Sequence, residues 1–256
     1  LQRYFVPAHT WSDKTIKITG DDVHHIKRVM RFQAGDEIIC NHPDGQAAIC
    51  QITFLDNQVV YADIVDWLTH HAELPVDIAI AQALPKGDKL EWILQKGTEL
   101  GAHRFLPFQA ARSVVKWEER RKEKKVKRWH KIVKEASEQS HRNKIPAVDP
   151  CKGLSEIIEA SKDYDFALFA YEEEAKSEQH QSLGSALAKL EKKQSLLVCI
   201  GPEGGFSDEE VKFLKENEFQ AIRLGPRILR TETAALYTLA SISYHFEEMR
   251  CSSCQQ

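Results

Sequence analysis

Two loops of unusual composition limit what this chain can fold into. GPEGGF (Gly201 to Phe206) follows the apolar run SLLVCI, LGPRILRTETA (Leu224 to Ala234) grows out of FQAIRL, and a helical pattern comes after each. Strand, loop and helix repeated in tandem describe an α/β layer, where ligands sit at the carboxyl ends of parallel strands. The rest of the chain has to supply the scaffold for that edge and a surface for a second substrate.

At 256 residues the chain reaches the size at which cores split, so two domains are expected. Hydrophobic residues make up 42% and charged residues 29%. No apolar run approaches the roughly 20 residues that cross a bilayer, and the N-terminal LQRYFVPAHT has no apolar h-region, so a cytoplasmic location is expected. Cys40, Cys50, Cys151 and Cys199 lie in apolar or strand-like stretches. Cys251 and Cys254 form a CxxC without the second pair that a tetrahedral zinc needs; no disulfide framework and no metal are expected.

The formal net charge of −3 predicts no polyanionic partner, but the distribution of charge does. Between Arg112 and Lys144, thirteen lysines and arginines stand against five glutamates. A solvated helix face is the ordinary source of a charge run. Here one sign dominates a helix read from Trp117 to about His141, whose Val126, Trp129, Val133 and Ala136 supply the packing face, and such a one-sided excess suits nucleic-acid phosphates.

From Tyr4 to about Leu68 the pattern is strand-like, with runs at 15–19, 37–40, 47–55 and 59–65 separated by turns, and reads as a small β-barrel or sandwich. One helix interrupts it, DDVHHIKRVMR, capped by Asp21 or Asp22, with Val23, Ile26 and Met30 inward and Lys27, Arg28 and Arg31 outward. The boundary falls near Leu68 to Pro75. Strand and helix then alternate: a strand at 76–84, a helix capped by Asp88 with Glu91 in a capping-box spacing, and strands at 104–108, 165–173, 195–200 and 219–224. Ser207 and Glu210 form a second capping box, Thr231 or Thr233 suits a helix cap, and the last helix carries a stripe of Leu236, Leu239, Ile242 and Phe246. The second domain is therefore α/β with a mainly parallel sheet.

Gly201, Gly204 and Gly205 let backbone approach a ligand, although a tight turn would use the same residues. The loop is neither GxGxxG nor GK[ST], which excludes a dinucleotide fingerprint and a P-loop. Glu203 would repel a triphosphate. A ligand with cationic groups fits better, and S-adenosylmethionine carries a sulfonium and an ammonium beside its adenosine. In the second loop, helix-start chemistry accounts for the threonines and Glu232, but not for Arg227 and Arg230 around apolar Ile228 and Leu229; these arginines suit a phosphate or an anionic base.

GPEGGFS and LGPRILRTETA, with KGDKLEWILQKGTELG (Lys86 to Gly101) and EASEQSHR (Glu135 to Arg142), resemble the bacterial 16S rRNA (uracil-N3) methyltransferase family of the knotted SPOUT superfamily. RYFVP and HHIKRVMR followed by Gly35-Asp36 extend the similarity over almost the whole chain. The resemblance implies a PUA-like β-barrel RNA-binding domain over residues 1–72 and an α/β methyltransferase domain with a trefoil knot over residues 73–256. It implies a homodimer that uses S-adenosylmethionine to methylate N3 of a decoding-region uridine in 16S rRNA on the assembled small subunit. Carried over by motif, the cofactor would touch Ala170, Tyr171, Ile200, Gly201, Glu203, Gly205, Leu224, Gly225, Ile228, Leu229, Thr231 and Ala234.

Removing a proton from uracil N3 at neutral pH calls for stabilisation of the resulting anion. Arg230 is expected in that role, with Glu232 or Glu203 as proton acceptor. Basic residues expected on RNA are Arg3, Lys27, Arg28, Arg31, Lys86, Arg112, Arg120, Arg121, Lys124, Lys127, Arg128 and Arg142. Competing readings are a non-catalytic ribosome-assembly factor and a knotted methyltransferase of different RNA specificity. Gly97 stands where relatives often have alanine and is read as weakening its helix only slightly.

Overall fold

The computed structural model describes residues 1–69, 71–114, 119–171 and 181–249, without the side chains of 119–122. Trp117, Cys251, Cys254 and the side chains of Arg120 and Arg121 therefore lie outside the described residues. The chain divides into two compact units, Leu1–Glu73 with Ser137–Ile145, and Leu74–Ala136 with Pro146–Gln256. The return of Ser137–Ile145 to the first unit has no signature in hydrophobic periodicity.

In the first unit, β1 (Arg3–Phe5), β2 (Thr15–Thr19), β3 (Glu37–Asn41), β4 (Ala47–Leu55) and β5 (Val59–Leu68) form one sheet in the order β1-β3-β4-β5-β2. Only β1 and β3 run parallel among these pairs. Alternate residues Ile16 and Ile18, Ile38 and Cys40, Cys50 and Ile52, and Val60 and Ala62 turn to one shared core. β4 slips register after Ile49 and again after Ile52, and such bulges bend a strand; with β1 and β2 at its two edges, the sheet is an open half-barrel.

The helix α1 (Asp21–His24) departs from the sequence reading in two ways. Its N-cap is Gly20, so neither aspartate caps it. It continues as a π turn over His25–Val29, closed by the Met30 N–H donating to the His25 carbonyl at 2.9 Å. The longer turn rotates the residues at its end, so Val23 and Ile26 are buried while Met30, expected inward, is 39% exposed.

Two arginines expected on RNA are structural instead. Arg142 is only 3% exposed, and its guanidinium is paired with the Glu73 carboxylate, which also accepts the backbone N–H groups of Asn143 (2.9 Å) and Lys144 (3.0 Å). Arg3 is buried too, donating to Asn41 Oδ1 and the Arg142 carbonyl, each at 3.3 Å. Guanidiniums buried this deeply and held by protein acceptors are withdrawn from a phosphate, although the buried Nε of Arg3 makes no hydrogen bond.

The second unit runs β6 (Asp77–Ala83), α2 (Lys89–Glu99), β7 (Arg104–Gln109), α3 (Glu119–Gln139, whose end from Ser137 belongs to the first unit), β8 (Ala147–Val148), β9 (Lys152–Gly153), α4 (Leu154–Ser161), β10 (Phe166–Ala170), α5 (Leu183–Leu187), β11 (Ser195–Ile200), α6 (Asp208–Glu216), β12 (Gln220–Ile222) and α7 (Thr231–Ser243). Its sheet has the order β12-β10-β11-β6-β7-β8, with β9 beside β7, and every one of these pairs is parallel. Both faces are covered, as a parallel sheet requires. Ile78 and Ile80 of β6 pack with Ile93 and Leu94 of α2, Trp129 and Val133 of α3, and Leu239 and Ile242 of α7. Ala79 and Ala81 pack on the opposite side with Ile157 of α4 and Leu214 of α6.

Glu91 does not close a capping box on α2. Its carboxylate pairs with Lys125 Nζ at 3.0 Å and Arg128 at 2.6 Å, tying α3 to α2 and neutralising part of the basic run. Burial opposes the charged form of Glu91, but these two cations outweigh it and hold the carboxyl below its usual range.

Gly97 has a packing reason that the sequence does not reveal. A Cβ there would lie 2.8 Å from the Phe105 ring and 3.2 Å from Leu239 Cδ1. Gly97→Ala gains about 1 kcal/mol in helix propensity but meets an overpacking cost of about 1–3 kcal/mol, so a midpoint lower by a few degrees is expected in thermal unfolding. A higher midpoint would show that Phe105 gives way freely.

Candidate functional site

β10, β11 and β12 end side by side, and the chain leaves the last two through the glycine-rich loop and the arginine-bearing loop. Between these loops lies a cavity of about 530 Å³, within the usual range for a small-molecule site. The residues singled out for the cofactor come together here. Ala170 and Tyr171 enter from β10, and Ile200, Gly201, Glu203 and Gly205 from β11 and its loop. Leu224, Gly225, Ile228, Leu229 and Thr231 follow β12, and Ala234 completes the lining one turn into α7.

The local chemistry explains the shape. The Gly205 N–H donates to the Pro202 carbonyl at 2.9 Å, and Gly205 has φ 67° with open space where a side chain would be. Gly225 likewise has φ 79°. Both positions expose backbone in a conformation that L side chains rarely adopt. α6 then starts with the capping box read from sequence: the Glu210 N–H donates to Ser207 Oγ at 3.2 Å, and the Ser207 N–H to Glu210 Oε2 at 2.9 Å. The other oxygen of Glu210 accepts the Ala111 N–H at 2.8 Å, bringing Arg112 over the loop, where its guanidinium donates to the Gly204 carbonyl at 3.1 Å.

Thr231 does not cap α7, whose N-cap is Arg230 without a side-chain bond. It sits in a buried chain: fully buried Gln82, at the end of β6, donates Nε2 to Thr231 Oγ1 at 2.8 Å, and Thr231 donates to the Gly201 carbonyl at 2.7 Å. This chain joins the sheet centre to both loops.

Charge in the cavity is mixed. Arg112, Arg223, Arg227 and Arg230 line it with Glu203 and Asp208. Among the described residues the Arg230 guanidinium has no partner, and the buried Nε of Arg223 makes no hydrogen bond. Glu203 is committed elsewhere: Oε1 accepts from Lys89 Nζ at 2.9 Å and from the Lys86 N–H at 3.1 Å. Glu232 Oε2 lies 3.1 Å from the same ammonium. Burial opposes ionisation of Glu203, yet Lys89 and the backbone N–H groups of Glu203 and Lys86 prevail and hold its carboxyl below the usual range. Lys89 is raised by its bonds to Glu203 and Glu232. The carboxylate expected to accept a proton thus already accepts from an ammonium and a backbone N–H.

Of the remaining basic residues, Arg28, Arg31, Lys86, Lys124 and Lys127 are exposed, and Lys27 donates to Asn57 Oδ1 at 3.0 Å. Lys89 and Gln82 were not singled out from sequence. For Lys89 a signal existed: a lysine at the first position of a helix opposes the dipole. Among the described residues no cluster of His, Cys, Asp and Glu could hold a metal, and no helix is long and apolar enough to cross a membrane.

Comparison with known proteins fits this geometry. Residues 72–243 match the family described as RNA methyltransferase domain, and residues 18–65 match the RNA methyltransferase PUA domain. The chain is 46% identical over 253 residues to ribosomal RNA small subunit methyltransferase E of Bacillus subtilis, covering 98% of this chain and 99% of that one. It is 31% identical to the protein of the same name from Mycobacterium bovis, over 88% of this chain and 84% of the relative. The crystal structure of ribosomal RNA small subunit methyltransferase E from Neisseria gonorrhoeae, bound to S-adenosyl methionine, superposes with a TM-score of 0.83 at 29% identity, covering 96% of this chain and 98% of that one. A parallel sheet covered on both faces, a loop-built cavity at its carboxyl edge and these full-length matches agree: the chain belongs to the RNA methyltransferase family, with a PUA domain ahead of its methyltransferase domain.

Proposed function

We propose that this chain uses S-adenosylmethionine to methylate N3 of a decoding-region uridine in 16S rRNA, acting on the assembled small subunit as a homodimer in the cytoplasm. The observation that carries the reading is the cavity between the two loops, because its chemistry suits this cofactor. Apolar Leu224, Ile228 and Leu229 offer a surface for an adenine, and the backbone at Gly205 and Gly225 is free to hydrogen-bond polar edges. Glu203 and Asp208 offset cationic groups, and Arg223 Nε awaits an acceptor such as a carboxylate. The two loops are read as the crossing strands of a trefoil knot, with residues 1–72 and 73–256 as the two domains.

When bound, the cofactor supplies an electrophilic methyl group on a sulfonium. The chain's own contribution is to orient the base and stabilise charge. Arg230, at the cavity and without a partner among the described residues, is read as holding negative charge on the uracil oxygens as N3 loses its proton. Glu232 in the first turn of α7 is the other candidate acceptor, its Oε2 lying 3.1 Å from the same Lys89 ammonium that holds Glu203. Exposed Lys124 and Lys127 on α3, Arg28 and Arg31 in the PUA unit, and Arg112 at the cavity supply phosphate contacts, which set affinity and register. Leu239, Ile242 and Phe246 of the apolar stripe are spent on the core while Leu236 is only half-buried, so a second copy would meet Leu236 with exposed Tyr237 and Tyr244.

The test is transfer of labelled methyl to small subunits isolated without the modification, followed by nucleoside analysis. N3-methyluridine is expected. A methylated ribose would mean a different RNA specificity, and cofactor binding without transfer would point to an assembly factor.

A further inference from the structure

Lys89 occupies a poor position for its own helix. As the first residue of α2 it places a cation at the positive end of the dipole, where acidic residues are the favoured choice. Its ammonium instead reaches across to two carboxylates, at 2.9 Å from Glu203 Oε1 and 3.1 Å from Glu232 Oε2. Three segments remote in sequence thus meet at one nitrogen: the start of α2, the GPEGGF loop and the first turn of α7. A local rule broken beside a cavity-lining loop, with a long-range compensation through Glu203 of that lining, is a feature of functional sites.

Two of these regions, the glycine-rich loop and the start of α7, are tied a second time by a buried chain that runs from Gln82 near the end of β6 through Thr231 to the Gly201 carbonyl. The two ties differ in kind. The buried one is neutral and anchors the root of the glycine-rich loop. The charged one grips its tip, because Glu203, Gly204 and Gly205 line the cavity and the Lys86 N–H holds the same carboxylate oxygen. Without the ammonium, Glu203 and Glu232 would be two like charges converging on one place, and repulsion would push the loop off α7.

We propose that Lys89 is a positioning residue: by clamping Glu203 and Glu232 it keeps the glycine-rich loop in its ligand-ready conformation before the cofactor arrives. A loop ordered in advance leaves less entropy to lose on binding, so the clamp acts on cofactor affinity. The inference rests on the cofactor reading of the cavity.

Calorimetric titration of the full chain with S-adenosylmethionine tests it, alongside methyl-transfer kinetics. Lys89→Met is expected to weaken cofactor binding about tenfold and to raise KM for the cofactor equally. Lys89→Arg keeps the charge and two donors for two carboxylates, and restores most of the affinity. Because Lys89 acts through Glu203, Lys89→Met in a Glu203→Gln background adds little further loss. Wild-type affinity in Lys89→Met, failure of arginine to rescue, or simple addition of the two losses would each overturn the proposal. A wild-type chain that binds the cofactor but transfers no methyl removes the enzymatic reading and leaves Lys89 to be judged by binding; a chain that does not bind it removes both.

Discussion

Arg230→Ala is expected to lower kcat for methyl transfer by about 10²–10³-fold while S-adenosylmethionine still binds within about threefold of wild type. The asymmetry comes from where the side chain sits. Arg230 is exposed at the cavity and has no partner among the described residues, so its removal breaks no internal bond. The N-cap role belongs to its backbone, whose carbonyl accepts the Ala234 N–H at 2.8 Å, and alanine keeps that bond. On the proposed mechanism the loss therefore falls on the uracil anion. Arg230→Lys should recover part of the rate, because it keeps the charge but not the planar fork. Single-turnover rates with saturating cofactor measure the effect, and an unchanged rate would remove Arg230 from the chemistry.

Glu73→Ala should be the most destabilising single change in the first unit, at about 3 kcal/mol or more. The carboxylate pairs with buried Arg142 and accepts two backbone N–H groups, so alanine leaves an uncompensated guanidinium and two orphan donors together. Glu73→Gln keeps an acceptor without the charge and should lose less. Replacing Glu73 and Arg142 together by apolar residues should cost less than the sum of the single changes, since no buried charge is then stranded. Urea unfolding followed by tryptophan fluorescence gives the values; a loss below about 1 kcal/mol for Glu73→Ala would show that water reaches the guanidinium and substitutes for the carboxylate.

Local patterns carried much of this structure. Short apolar runs bounded by glycine marked β11 and β12, the Ser207–Glu210 spacing marked the start of α6, and the 3.6-residue recurrence of Trp129, Val133 and Ala136 marked the buried stripe of α3. The features that escaped are long-range or sub-helical. Lys89 and Glu203 are 114 residues apart, and Gln82 and Thr231 are 149 apart. No periodicity links such pairs, so the clamp and the buried chain had no local signal beyond a misplaced lysine. Arg142 looked like part of a basic surface because composition counts charges without regard to depth. Met30 was misplaced because a π turn adds a residue where an α template was assumed, and Gly97 was undervalued because propensity ignores Phe105.

The strand order also sets a timetable for synthesis. β6 lies between β11 and β7 in the sheet, yet β11 pairs with it from about 120 residues further along the chain. At about 5–20 residues per second, the apolar DIAIAQA strand therefore waits on the order of ten seconds for the neighbour that completes its ladder. Until Ser195–Ile200 emerges, one edge of the future sheet centre is open to any other strand, which makes the nascent chain the form most exposed to aggregation. Slowing translation between β7 and β11 would lengthen that window, and the yield of soluble protein is where the delay would be felt.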